Sequence, residues 1–126
     1  VKNTSITYMT TTDAISDLII EGIQNRKGHN ITIMDLSGIE NAAASKFIIA
    51  EGTSTTQTSS IAESVEETVR ENCGEKPFGI IGENTGEWVV MDYGDVWVHI
   101  FLPPIRERYR LEELWSDAKI IETAEL

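Results

Sequence analysis

Apolar positions along the chain fall into two kinds of run. "TTDAISDLIIEGIQNRKG" carries Ile15, Leu18, Ile19 and Ile23 at helical spacing. That spacing predicts an amphipathic helix capped by Thr12 or Asp13 and ended at Gly28, with Gly22 weakening it slightly. "ITIMDL" and "KFIIAEG" are short and β-rich, and "SGIENAAAS" between them reads as a loop. In "GTSTTQTSSIAESVEETVRENCG", Ile61, Val65, Val69 and Cys73 recur every four residues up to Gly74. Ser54 and Gln57 precede that stripe with the spacing of a capping box. Three more β-rich runs follow, "FGIIG", "EWVVMD" and "DVWVHIFL", joined by "ENTG" and "YG". Loops this short predict an antiparallel meander, with Tyr93-Gly94 as a two-residue hairpin loop. Pro103 and Pro104 end the last strand, and Pro104 opens a final helix, "IRERYRLEELW".

The order is therefore helix, two strands, helix, three strands, helix. It predicts one α/β domain, a mixed five-stranded sheet flanked by helices. Residues 1–11 read as a flexible lead-in, 12–118 as the domain and 119–126 as a C-terminal tail. At 126 residues a single core is large enough to hold without staples. No apolar run approaches the ~20 residues of a membrane-spanning helix, so no membrane partner is expected.

Charge narrows the partners. The net charge is −11. Phosphates repel such a chain, so little or no direct nucleic-acid binding is expected. A basic protein would attract it, although acidity also serves solubility alone. The histidines, His29 and His99, and the one cysteine, Cys73, have no zinc spacing, and no calcium loop is present; no metal and no cofactor are expected.

Two places invite a chemical reading. "EGTSTTQTSS" turns from a strand into a helix, and a helix N-terminus favours anions. It lacks the lysine of a phosphate-binding loop, and no Asp-x-Asp or Asp-x-Glu pair follows it on a strand, so a plain helix cap is the simpler reading. In "DVWVHIF", Trp97, His99 and Phe101 share one face, and Val96, Val98 and Ile100 the other. Two apolar faces describe an interior strand, in which His99 is a packed sheet residue or part of a binding surface. Trp88, Tyr93, Trp97, Tyr109 and Trp115 crowd the last third of the chain among Asp92, Asp95, Glu107, Glu112 and Glu113. Aromatic anchors among carboxylates suit a basic protein partner, with at least one tryptophan going to the core.

The stretch "EWVVMDYGDVWVHIFLPPIRERYRLEELWSDA" closely resembles the signature of the ribosomal silencing factor family, the Iojap-like proteins. The matching positions are Trp88, Asp92, Gly94, Asp95, Val98, His99, Arg106, Tyr109, Leu111, Glu112, Leu114 and Trp115. "MDLSG" and "FIIAEGTSTTQTSSIAESV" extend the likeness, which spans roughly residues 13–118. The resemblance implies a nucleotidyltransferase-like core without catalytic carboxylates. It implies a cytoplasmic, non-enzymatic translation repressor that binds the large ribosomal subunit through ribosomal protein fourteen. Small-subunit joining would then be blocked sterically under nutrient limitation. A homodimer is compatible with it. The expected partner-binding residues are Trp88, Asp92, Tyr93, Gly94, Asp95, His99, Arg106, Tyr109 and Glu112. The alternative is a nucleotide-binding or nucleotidyltransferase-like enzyme that uses the Gly52–Ser54 turn.

Overall fold

The computed structural model describes residues 11–114 and 119–122. Its elements are α1 (Thr11–Asn25), β1 (His29–Asp35), β2 (Lys46–Glu51), α2 (Thr55–Cys73), β3 (Gly79–Ile81), β4 (Trp88–Asp92), β5 (Val96–Phe101), α3 (Pro103–Tyr109), α4 (Leu111–Leu114) and β6 (Lys119–Glu122). The predicted order is recovered, with three differences. The sheet has six strands, in the order β3-β4-β5-β2-β1-β6. The sixth lies in the stretch read as a tail, where Ile120 and Ile121 pair with Met34 and Ile33 of β1. The final helix is broken at Arg110, whose φ of 45° is left-handed and ends α3. The sheet is mixed, as expected: β2 and β5 run parallel and the remaining neighbours antiparallel.

Both long helices lie on one face. Val96, Val98 and Ile100 of β5 join Ile48 and Ala50 of β2, Val89 and Met91 of β4, and the stripes of α1 and α2 in one aliphatic core. Gly22 is more than a weak helix residue. A Cβ there would stand 2.8 Å from the Val65 Cα, so glycine lets the helices touch. Ser64 Oγ then donates to the Gly22 carbonyl at 2.7 Å.

The ends of α1 and α2 are tied together. Ser54 Oγ accepts from the Gln57 N–H at 3.1 Å, which is half of the expected box. The return bond comes one residue early: Gln57 Oε1 accepts from the Thr53 N–H and hydroxyl. Gln57 Nε2 donates to the carbonyls of Arg26 and Lys27 beyond α1. The left-handed residue there is Lys27, at φ 60°, rather than Gly28. Helix α1 is already formed at Thr11, so its cap lies outside the described residues.

The other face is aromatic. Trp97, His99 and Phe101 sit beside Phe47 and Ile49 of β2 and Trp88 of β4. Leu36, Ala44, Ile105 and Leu111 cover part of this second cluster from the β1–β2 loop and from α3 and α4. This cover is thin, because α3 contributes no fully buried residue.

Candidate functional site

The hairpin between β4 and β5 turns one residue later than the sequence spacing implied. The Tyr93 N–H donates to the Val96 carbonyl at 2.9 Å, so the two loop residues are Gly94 and Asp95, not Tyr93 and Gly94. Gly94 has φ 87°, and Asp95 is not among the positive-φ residues. Glycine first and a negative φ second is the pattern of a type II′ turn. Asp92 Oδ1 accepts from the Gly94 N–H at 2.7 Å, so it braces the turn as well as carrying charge. Asp95 is exposed at the tip, and its carbonyl accepts from the N–H groups of Ser45 and Lys46.

Tyr93 does not share that surface. Strand alternation turns it to the helix side, where it is buried in the aliphatic core. Its hydroxyl has no hydrogen-bond partner. Burial raises its pKa above the ordinary phenol range, and Glu66 and Cys73 add to the effect. A buried tyrosine pointing at α2 cannot meet a partner on the opposite face of the sheet, so that expectation is corrected.

His99 is a sheet-interior residue, 4% exposed. Trp88 Nε1 donates to its Nδ1 at 3.1 Å, and its ring meets Phe47 edge-on at 4.6 Å. Nδ1 accepts, so the neutral ring carries its proton on Nε2, which is buried without a partner. Burial among aromatic rings lowers the imidazole pKa to about 4. At neutral pH the ring is an uncharged packing group, held in place by Trp88.

Trp88 itself is half-buried. Phe101 stacks on it at 4.9 Å and Tyr109 leans on it at 4.8 Å. Tyr109 remains 50% exposed. Together with half-buried Val90 and Trp97, these side chains leave an open apolar strip on the aromatic face. It runs from Tyr109 at the helix end to Asp92 and Asp95 at the hairpin end. Four residues separate Trp88 from Asp92, or about 13 Å along a strand.

Arg106 and Glu112 serve another purpose. The Arg106 guanidinium donates to Glu51 Oε2 at 2.9 Å, to the Asn30 carbonyl at 2.6 Å and to Thr32 Oγ1 at 2.9 Å. Its Nε lies 3.6 Å from Glu112 Oε2. Asn30 Nδ2 donates to the other Glu51 oxygen at 3.0 Å. A left-handed Asn30, φ 52°, marks the irregular register of β1 between His29 and Thr32, and it turns both groups toward the clamp. Arg106 therefore fastens α3 across β1 and β2, with its donors engaged inside the chain. Sequence reasoning missed this clamp because its members lie up to 76 residues apart, and no local pattern joins them.

The expected residues thus separate into groups. Trp88, Tyr109 and His99 are brought together. Asp92, Gly94 and Asp95 form the hairpin tip. Arg106 and Glu112 belong to the clamp and Tyr93 to the opposite core. Trp115 lies outside the described residues. At the Gly52–Ser54 turn, the Gly52 N–H donates to Phe101, the Thr53 N–H to Gln57 and the Gln57 N–H to Ser54. The first of those amides is engaged with β5 and the other two with the helix start. Among the described residues, no three His, Cys, Asp or Glu side chains gather as metal ligands, and no helix is long and apolar enough to cross a membrane.

The family model "Ribosomal silencing factor during starvation" matches residues 10–126. Ribosomal silencing factor RsfS of Chromobacterium violaceum is 38% identical over 105 residues, covering 83% of this chain and 84% of the relative. Its counterpart of the same name in Haemophilus influenzae is 35% identical over 103 residues, 82% of this chain and 99% of the relative. A more distant mouse relative, 26% identical, is named mitochondrial assembly of ribosomal large subunit protein 1; the match spans 79% of this chain and 44% of that one. A crystal structure of a Chromobacterium violaceum protein superposes with a TM-score of 0.79 at 37% identity, covering 86% of this chain and 88% of that one. With a family model and close relatives matching over most of its length, this chain belongs to the ribosomal silencing factor family.

Proposed function

We propose that this chain is a non-enzymatic, cytoplasmic repressor of translation that docks on ribosomal protein fourteen of the large subunit. Its bulk then occupies the space into which the small subunit must settle. Family membership supports the ribosomal setting, and the mouse relative's name points to the large subunit. The observation that carries the reading is the open strip on the aromatic face. Trp88, Val90, Trp97 and Tyr109 supply rigid apolar contact, and Asp92 and Asp95 close one end with negative charge. Aromatic anchors at a half-covered surface are the usual centre of a protein interface. Carboxylates at its edge steer a basic partner and fix its orientation.

The chain should pellet with isolated large subunits and not with small ones. Its addition should lower the fraction of joined ribosomes in a sucrose gradient. Trp88→Ala should weaken large-subunit pelleting at least tenfold, on the order of 1.4 kcal/mol, while circular dichroism confirms the fold. Pelleting with small subunits alone, or joining that is unaffected by a saturating amount of bound protein, overturns the reading.

A further inference from the structure

We propose that His99 is a positioning residue for docking: its Nδ1 fixes the orientation in which the Trp88 indole is offered to the partner. This rests on docking through the aromatic face, as proposed above. His99 is 4% exposed, so a docked partner does not reach it, whereas Trp88 is half-buried. What His99 contributes passes through the Trp88 Nε1–H, which it accepts at 3.1 Å.

Strand register sets the pair up. Trp88 of β4 lies opposite Phe101 of β5, and Val90 lies opposite His99. Trp88 and His99 are therefore diagonal neighbours on one face, a separation that long or aromatic side chains bridge. The imidazole is wedged. It meets Phe47 edge-on and lies nearly parallel to Phe101, at 12° and 6.1 Å between centroids. The indole is held less tightly, by ring contact with Phe101 and Tyr109. Ring contact alone would also accept the indole turned over about its second side-chain torsion, whose profile is broad and two-fold. A directional bond separates the two poses, and His99 Nδ1 supplies it. With its N–H taken up inside the chain, the indole meets a partner as an apolar surface.

Packing does not account for the histidine. Because Nδ1 accepts, Nε2 holds the proton, and it is buried with no partner. A buried donor left unpaired is unfavourable, and an aliphatic residue among these rings would avoid it. Burial keeps the ring neutral down to about pH 4, so Nδ1 stays an acceptor at neutral pH. The bond that this arrangement secures is aimed at the docking tryptophan.

His99→Asn and His99→Leu separate positioning from packing. Both new side chains branch at Cγ and are similar in size. Asn Oδ1 stands where Nδ1 stood, and leucine has no acceptor. Packing favours leucine, because asparagine brings a polar amide into an apolar cluster. Chemical denaturation should therefore rank His99→Leu as the more stable, while pelleting with isolated large subunits should rank His99→Asn as the tighter. His99→Leu should lose about tenfold in affinity and His99→Asn no more than about threefold. In Trp88→Phe, which has no N–H to hold, adding His99→Leu should cost less than about twofold more. A measurement without ribosomes keeps the bond apart from the docking reading. In the free, nitrogen-labelled chain a through-bond nitrogen–nitrogen coupling should join Trp88 Nε1 to His99 Nδ1. Absence of that coupling overturns the proposal and leaves the docking reading standing. So does a His99→Leu variant that pellets like the unaltered chain while Trp88→Ala does not, or binding that follows the order of stability. An equal His99→Leu loss with and without Trp88→Phe overturns it as well. If neither His99→Leu nor Trp88→Ala weakens pelleting, both readings fall.

Discussion

The sheet has two faces built from the same strands, and they are finished differently. On the helix side every β5 residue is aliphatic, and α1 and α2 seal it, with Val96, Val98 and Ile100 almost fully buried. On the other side the β5 residues are Trp97, His99 and Phe101. Their cover is a loop, a seven-residue helix with nothing fully buried, and a single turn. One face holds the fold together by area removed from water. The other is fastened at one end by a polar clamp and leaves Trp88, Val90 and Trp97 only half-buried. Alternation along a strand assigns the residues to faces; the lengths of the covering elements decide which face remains available.

Ile100→Ala should separate the two faces most sharply. It removes a fully buried side chain from the sealed side, and should cost about 4 kcal/mol in chemical denaturation, since the packed helices cannot collapse into the gap. Large-subunit affinity of the molecules that remain folded should be unchanged. Arg106→Ala comes next. It leaves Glu51 Oε2 without its guanidinium, with the Asn30 amide and His29 Nε2 near Oε1 only, and breaking a pair whose side chains are about nine-tenths covered should cost about 3 kcal/mol. Hydrogen exchange should then quicken across 103–114 before it does in α1 or α2. Equal quickening everywhere would mean that the clamp holds the whole domain and not one face.

The aromatic face also carries a pH signature. An unfolded histidine takes up its proton near the ordinary 6.5, whereas His99 in the folded chain does so only near 4. Between those values the unfolded chain binds more protons, so stability falls as pH drops from about 6.5 to about 4 and loses no more from this residue below that. The loss should approach about 3 kcal/mol. His99→Gln can still accept from Trp88 and does not titrate, so it should remove this part of the slope. An unchanged slope in that variant would place the acid sensitivity elsewhere.

How far the sequence could be read follows from the range of each interaction. The stripes of α1 and α2, the meander and the two-sided β5 were legible because they depend on neighbours a few residues apart. β6 was not, because its four residues become a strand only when β1 offers an edge. The hairpin was off by one residue: "YG" looks like the loop until the Tyr93–Val96 bond places Gly94 first. Tyr93 was assigned to the surface because aromatic composition does not say which face a residue takes, and the period of two across the turn does. The Arg106 clamp was invisible, since a guanidinium in a helix names none of its partners on distant strands.

The most direct test sets one charge reversal on each side of the sheet against the other. Asp95 stands at the hairpin tip beside the open strip, and Glu71 is exposed on α2, on the sealed side. Asp95→Lys and Glu71→Lys change the net charge equally, so a general attraction to a basic ribosomal surface would be weakened alike by both. Pelleting with isolated large subunits at two salt concentrations distinguishes the sides. Docking through the aromatic face predicts that Asp95→Lys weakens binding at least tenfold, on the order of 1.4 kcal/mol, and that its residual binding depends less on salt. Glu71→Lys should bind like the unaltered chain. Equal loss in both variants, or loss confined to Glu71→Lys, would contradict the assignment of the docking face.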